Sequence, residues 1–222
     1  MTKLQLIYPL NLPFGITQNF GENQLELYKN ELGLNGHNGI DMSAKNGTPV
    51  YATHDGEVTF AGMDGSAGLG VVIRTLEQFD YKDSKSYFKT IYWHLKTGSI
   101  IVKPNQKVKA GEKIGEADNT GLSTGDHLHF GLKPIYQGEQ EWQWWNSEQS
   151  NGYAGSIDPK PYFNGKYPKD MIHEVSQEFR NMMFAVRDYQ VSKGFMDFVN
   201  ETNPKKINIG TKTLAAITQD KK

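Results

Sequence analysis

Cysteine is absent from this chain of 222 residues. Its absence excludes disulfide bonds and thiolate metal sites, although it does not identify the cellular compartment. The net charge is only -1 at neutral pH, so there is no electrostatic reason to expect nucleic acid or an anionic membrane as a partner. No segment approaches the roughly 18 apolar residues of a membrane helix, and the first ten residues lack a signal peptide's apolar run. We therefore expect a soluble monomer without nucleic-acid or membrane partners.

Two histidines stand two residues apart near the middle of the chain, at His127 and His129. Successive side chains of a β-strand alternate between its faces, so on a strand both imidazoles would point into one cleft. They would lie roughly 6.5 Å apart along the strand. That separation suits one metal ligand beside one group for acid/base chemistry.

A third histidine, His37, lies near a carboxylate, Asp41, far upstream. Their even offset places both side chains on one face of an extended segment, and Gly36 and Gly39 argue against a helix there. Catalytic zinc takes three nitrogen or oxygen ligands and keeps a position for water, whereas closed structural sites prefer cysteine. Imidazole ligands also disfavour calcium and magnesium. The pattern therefore predicts a catalytic zinc site.

Six sequence blocks carry a family resemblance. They are Gly-His-Asn-Gly-Ile-Asp at 36–41, Gly-Thr-Pro-Val at 47–50, Asp-Gly-Glu-Val at 55–58, Tyr-Trp-His-Leu at 92–95, Gly-Glu-Lys-Ile-Gly at 111–115 and Ser-Thr-Gly-Asp-His-Leu-His-Phe at 123–130. In this order the chain resembles the lysostaphin/LytM-type zinc metallopeptidases, metallopeptidase family 23, over about residues 12–134. One block alone is weak support, but several blocks in one order are hard to obtain by chance.

The resemblance implies a role for each residue of the predicted site. His37, Asp41 and His129 are expected to bind one zinc ion per chain. His94 and His127 are expected to stay unligated and to move protons or stabilise charge. His127 is the first choice as base and His94 as the group that stabilises the oxyanion, although these two roles can be exchanged.

The resemblance also implies the substrate and the cellular setting. The family hydrolyses peptide bonds of bacterial peptidoglycan, in cross-bridges or stem peptides. We therefore expect peptidoglycan as partner and an extracellular, periplasmic or phage-associated location. The alternative is a non-catalytic wall-binding or hydrolase-activator module with the same fold, because some family members have lost the metal. Those members lack ligands, whereas all five positions are filled here.

Short β-rich runs alternate with glycine-bearing turns from Pro49 to Phe130. This pattern predicts a mainly β domain with an antiparallel sheet, and the resemblance implies the duplicated hybrid motif type over residues 8–165. The glycine-rich segment 62–70 is expected to cap a hairpin. The polar segment 77–86 is expected to form an extended surface loop near the cleft.

The pattern changes after residue 168, where a small helical unit is predicted over residues 168–222. Apolar side chains recur there at three-to-four spacing, at Val175, Phe179, Met182, Met183, Val186 and Tyr189. Residues 186–195 and 209–217 resemble the second half of helical peptidoglycan-binding domains. A pair of helices that simply docks on the β domain is the alternative.

Several other residues invite a functional interpretation that the sequence does not favour. His54, before an Asp-Gly turn, is expected to be exposed, and His173 lacks the second histidine of a zincin motif. Asp126 replaces the family's usual proline and puts a carboxylate beside His127. An aromatic cluster could stack on sugar rings or instead cover the core, and it comprises Trp142, Trp144 and Trp145.

Overall fold

The computed structural model describes residues 2–23, 27–140 and 143–168. These residues belong to one compact unit, Met1–Pro168. The predicted helical unit at 168–222 lies outside the described residues except for its first residue, so it stays a prediction. His173 and Trp142 also lie outside them. In the described part of the chain, no helix has the length and apolar character needed to cross a membrane.

The described elements are mostly strands. In chain order they are β1 (Ile16–Gln18), α1 (Leu27–Leu32), β2 (Ile40–Ser43), β3 (Pro49–Tyr51), β4 (Gly56–Asp64), a 3₁₀ turn (Gly65–Ala67), β5 (Gly68–Thr75), β6 (Phe79–Tyr81), β7 (Ser84–Trp93), β8 (Lys107–Val108), β9 (Lys113–Glu116), β10 (His127–Gln137), β11 (Trp144–Asn146) and a second 3₁₀ turn (Lys160–Tyr162). The mainly β prediction is confirmed.

One large antiparallel sheet organises the described residues, with strand order β1-β2-β10-β7-β5-β4-β8. The strand β11 extends the edge of β10, β6 pairs with the start of β7, and β3 pairs with β9 in a separate two-stranded sheet. Strands β2 and β10 are neighbours although about 90 residues separate them in the chain. This pairing brings the two halves of the predicted metal site together.

The two faces of the large sheet have different surroundings. Alternate residues of its central strands, such as Ile73, Tyr92 and Phe130, are fully buried in the hydrophobic core, which the N-terminal residues Leu4 and Leu6 also enter. Each large apolar side chain buried in this way contributes roughly 1.5–3 kcal/mol. The opposite face therefore remains for polar and functional side chains, because strand residues alternate.

The glycine-rich segment 62–70 closes the β4–β5 hairpin, as predicted. A 3₁₀ turn at Gly65–Ala67 forms its tip, and Gly68 has a φ of 77°, in the left-handed region that glycine adopts without strain. A Cβ atom at Gly68 would lie 2.2 Å from the carbonyl oxygen of Thr120. Glycine thus allows this tip to pack against the loop that precedes β10.

The expectation of a surface loop near the cleft at 77–86 is wrong. Phe79–Tyr81 forms β6, which pairs with the start of β7 in a hairpin. Strand β7 runs for ten residues from Ser84 to Trp93. With a rise of about 3.3 Å per residue, the hairpin lies about 30 Å from His94, which follows the far end of β7. Its polar side chains concealed a short strand whose residues are half-buried.

The expectation that His54 is exposed is also wrong, because this side chain is 6% exposed. Its Nε2 lies 2.9 Å from Oγ1 of Thr90, and its Nδ1 lies 2.9 Å from the carbonyl oxygen of Asp55, to which it donates. Burial lowers the pKa of His54 to about 4. The sequence shows the Asp-Gly turn that follows His54. It does not show that the His54 ring contacts the buried Thr90.

Candidate active site

Strand pairing assembles the candidate metal ligands. His129 on β10 lies directly opposite Asp41 on β2, and residues directly opposite each other in an antiparallel pair project from the same face. His37 precedes β2 and reaches the same point from the loop. Among the described residues, these three form the one group of histidine and acidic side chains whose ligand atoms lie within 4.8 Å of one another.

The ligand atoms form a nearly regular triangle. Nε2 of His37 lies 2.9 Å from Nδ1 of His129, and both nitrogens lie 3.1 Å from Oδ1 of Asp41. A tetrahedron with metal–ligand distances of about 2.0–2.1 Å has edges of about 3.3 Å. The triangle therefore has the size of one face of a zinc coordination shell, and its N, N and O donors are those that zinc takes.

The surrounding backbone orients the two ligand rings. Nδ1 of His37 donates to the carbonyl oxygen of Asn19 at 3.2 Å, which leaves the Nε2 lone pair for a metal. A Cβ atom at Gly39 would lie 2.7 Å from Cε1 of His129 and 2.6 Å from the carbonyl oxygen of Phe130. Glycine at 39 is therefore what lets the His129 ring lie against the ligand loop.

The carboxyl group of Asp41 is ionised in this environment. Burial opposes its ionisation, but the adjacent rings of His129 and His37 outweigh burial and hold the pKa of Asp41 well below its usual range. Burial lowers the pKa of His129, although Asp41 acts in the opposite direction. A neutral imidazole beside an ionised carboxylate is the protonation state that metal binding requires.

The other two histidines are anchored by the nitrogen that faces away from the ligands. Nδ1 of His127 donates to the carbonyl oxygen of Gly125 at 2.7 Å, while its Nε2 lies 3.6 Å from Oδ2 of Asp41. Nδ1 of His94 donates to the carbonyl oxygen of Thr120 at 2.7 Å. A carbonyl oxygen only accepts, so in each neutral ring the proton is on Nδ1 and the lone pair is on Nε2.

His94 has an unusual backbone as well as an anchored ring. Its φ is 63°, in the left-handed region that non-glycine residues rarely adopt. The N–H of Asp118 donates to the His94 carbonyl oxygen at 2.9 Å and holds this conformation. Burial lowers the pKa of His94 to about 4, so its ring is neutral at neutral pH. The rings of His94 and His127 are 4.6 Å apart between centroids.

A cleft of about 290 Å³ opens above these side chains. Its walls include the β4–β5 hairpin tip at Ser66 and Ala67, and Tyr28 from α1. The Tyr28 hydroxyl donates to Oε1 of Gln18 at 2.8 Å, and its ring centroid is 5.5 Å from that of His37. Burial raises the pKa of Tyr28 to about 12, so the phenol stays protonated. Sequence analysis missed Tyr28, because no motif surrounds it.

The structure brings all five predicted site residues into this one cleft, while their individual roles stay predictions. The Asp126 carboxylate accepts the backbone N–H of Asn46 at 3.1 Å instead of binding the His127 ring. Trp144 and Trp145 lie on β11, beside the end of β10 that is remote from His127. Trp144 packs on the sheet, whereas Trp145 is 46% exposed.

Comparison with known proteins gives consistent matches. Residues 35–142 match the family model Peptidase family M23. The chain is similar to the peptidoglycan DD-endopeptidase ShyA of Vibrio cholerae, with 36% identity over 125 residues, which is 56% of this chain and 26% of that protein. It is also similar to the glycyl-glycine endopeptidase ALE-1 of Staphylococcus capitis, with 37% identity over 104 residues, 45% of this chain and 25% of that protein.

Among solved structures, the chain is similar to the catalytic domain of lysostaphin from Staphylococcus simulans. The identity is 26% and the TM-score is 0.48, over 68% of this chain and 90% of that domain. The chain spans about a quarter of the length of the two curated relatives.

Proposed function

This chain contains a domain of peptidase family M23, and on that premise we propose that it is a zinc endopeptidase that hydrolyses peptide bonds of bacterial peptidoglycan. One observation carries the proposal. Three ligand atoms of His37, Asp41 and His129 converge within about 3 Å of one another, and two carbonyl-anchored histidines stand beside them in the same cleft. This arrangement has the parts that metal-assisted amide hydrolysis needs.

The ligand set fits zinc and leaves room for chemistry. His37, Asp41 and His129 would hold the ion, since their donor types and their spacing match a three-ligand catalytic site. When bound, zinc polarises the scissile carbonyl and lowers the pKa of a bound water to about 7. The open side of the triangle faces the cleft, where a peptide can enter.

His127 and His94 would manage the protons. Each neutral ring presents a lone pair at Nε2, so either can accept a proton there and then donate it to the leaving amine. Nε2 of His127 is 3.6 Å from the Asp41 carboxylate, next to the ligand cluster, which supports His127 as the first proton acceptor. The proton that His127 takes from the water would then pass to Nε2 of His94, whose ring centroid is 4.6 Å away, and the protonated His94 ring would stabilise a developing oxyanion.

The substrate proposal comes from the relatives. ShyA is named a peptidoglycan DD-endopeptidase and ALE-1 a glycyl-glycine endopeptidase, so the first name supplies peptidoglycan as the substrate and the two names differ in the bond. We therefore place the activity at the bacterial wall, in an extracellular, periplasmic or phage-associated setting, with cross-bridge or stem peptide as the target. Peptidoglycan is the expected partner.

Digestion of purified cell walls tests this function. The zinc-loaded protein should release fragments whose masses identify the cleaved peptide bond, and His129→Ala should release none. Walls with glycine cross-bridges and walls with direct stem-to-stem links should be compared, because the masses then distinguish the two bond classes. Tight wall binding with bound zinc and no released fragment would favour a non-catalytic wall-binding or hydrolase-activator module.

A further inference from the structure

Three basic residues form a row across the large sheet. Lys89 on β7 lies directly opposite Arg74 on β5 and directly opposite Lys133 on β10. Residues opposite each other on antiparallel strands project from one face, so all three side chains share a face. This basic row is on the face that carries the candidate active site, because His129 and Lys133 are an even number of residues apart on β10.

The basic row lies about 13 Å along the strands from the candidate metal ligands. Lys133 is four residues from His129 along β10, and Lys89 is four residues from Trp93 along β7, which corresponds to about 13 Å. The residues between, Gly131 and Ile91, are small or apolar. An extended peptide that crosses this distance has about four residues.

The charges of the row are only partly compensated. Arg74 contacts Oε1 of Glu57 at 3.4 Å, and its guanidinium carbon lies 3.9 Å from the ring of Trp144. Lys89 and Lys133 make no ion pair with any residue in the described part of the chain. Over a longer range, Asp64 is the acidic residue that acts on Lys133.

The like charges of the basic row destabilise the sheet when no ligand is bound. Like charges directly opposite each other on neighbouring strands destabilise a sheet. Burial and the nearby Arg74 lower the pKa of Lys89, and burial and Lys89 lower the pKa of Lys133. Both lysines are half-buried, so their ammonium groups are partly removed from water. Features that cost stability without a local compensation commonly serve binding.

We propose that Lys89 and Lys133, assisted by Arg74, form a subsite for a carboxylate of the peptide substrate, about four residues from the bond that is cleaved. The inference rests on the proposed function and narrows its substrate class. An acidic stem peptide supplies such a carboxylate, whereas a glycine cross-bridge has no charged side chain. The basic row therefore favours stem peptides as the ligand of this face.

A simpler interpretation assigns the lysines no ligand. Their aliphatic stems would cover Ile91 and Val72 while the ammonium groups stay in water, as lysine does on many surfaces. Under that interpretation, replacing an ammonium group with an apolar end of similar length changes no ligand affinity. The two interpretations thus differ in a binding measurement.

Equilibrium binding tests the subsite independently of catalysis. The probes are a stem tetrapeptide with free carboxylates and the same peptide with its carboxylates amidated, titrated into the zinc-loaded full chain. The wild type should bind the free acid at least about tenfold more tightly than the amide, because a charged hydrogen bond is worth that much. Lys89→Met, Lys133→Met and the double variant should lose this preference stepwise and keep their affinity for the amide.

Control measurements distinguish a lost subsite from a misfolded protein, and they test the subsite separately from the enzyme proposal. Lys103→Met removes an exposed lysine outside the basic row and should keep the tenfold preference. Lys89→Met should raise the thermal midpoint, because it removes a like-charge pair. Equal affinity of the wild type for both peptides, or a preference that survives in the double variant, would overturn the subsite. Absence of hydrolysis with this binding preference intact would count against the enzyme proposal alone.

Discussion

Nδ1 of His129 lies 3.1 Å from Oδ1 of Asp41, and the two residues face each other directly on strands β10 and β2. The strand register therefore fixes the separation of two candidate ligands. A shift of β10 by one residue would turn His129 to the hydrophobic core while Asp41 stayed on the other face. The metal site is thus a property of the sheet, while His37 joins it from a loop.

His127 should be needed for turnover but not for the metal. Its Nε2 is 3.6 Å from the Asp41 carboxylate, and three ligand atoms come from other residues. His127→Ala should therefore keep its zinc and lose roughly 100- to 10,000-fold in kcat, the usual contribution of general acid/base catalysis. Elemental analysis beside a peptide-cleavage assay measures both quantities. Loss of zinc in step with activity would make His127 a ligand.

Gly39 should tune metal affinity through the His129 ring. A Cβ atom at 39 would lie 2.6 Å from the backbone oxygen of Phe130, so alanine must displace either the loop or the ring. Gly39→Ala should weaken zinc binding about 10- to 100-fold, as is typical for the loss of outer support of a metal ligand. Gly15→Ala is the matched control, since its nearest neighbour would be Oγ of Ser43 at 3.9 Å. Equal zinc affinities in the two variants would refute this role.

His54 should make the free energy of unfolding depend on pH. Its pKa is about 4 in the folded protein against 6.5 when unperturbed, so between these values the unfolded chain binds more protons. Stability therefore falls as the pH drops from 6.5 towards 4 and then levels off. Between pH 7 and pH 5, the contribution of His54 to the free energy of unfolding should fall by about 2 kcal/mol.

The variant His54→Asn isolates that contribution. Urea unfolding at several pH values should show a smaller loss at low pH for the variant than for the wild type. The variant should be less stable than the wild type at pH 7, because it disturbs the contact with Thr90. Parallel pH curves for the two proteins would show that His54 is not the group that titrates.

The segment after Pro168 should serve wall binding more than catalysis. All five site residues lie within the compact unit that ends at Pro168. A chain that ends there should fold, bind zinc and cleave small soluble peptides, yet bind intact walls more weakly in a sedimentation assay. Unchanged wall binding by a well-folded short chain would refute targeting. Aggregation of the short chain would instead support a segment that covers apolar surface.

Much of the candidate site could be predicted because its residues sit in short, recognisable blocks. The spacing of His127 and His129 places both on one face of a strand, whereas the family resemblance carried the prediction for His94. Burial of His54 could not be predicted, because it depends on Thr90, which is 36 residues away. A single sequence shows no such partner.

The basic row could not be predicted from the sequence for a related reason. Arg74, Lys89 and Lys133 become neighbours only through the register of three strands, which their local sequences do not specify. The β6–β7 hairpin was missed because its polar residues are those of a loop, whereas pairing at the sheet end made it a strand. Strand pairing decides where the basic row and the β6–β7 hairpin lie, and a single sequence does not show that pairing.

Zinc stoichiometry of the purified protein tests the central proposal most directly. Elemental analysis after dialysis should find one zinc per wild-type chain, much less in His129→Ala, and one again in His54→Asn, which replaces a buried histidine outside the site. Activity towards wall peptides should follow the zinc content across these three proteins. Full zinc in His129→Ala, or hydrolysis by a wild-type protein that holds no metal, would contradict the proposed centre.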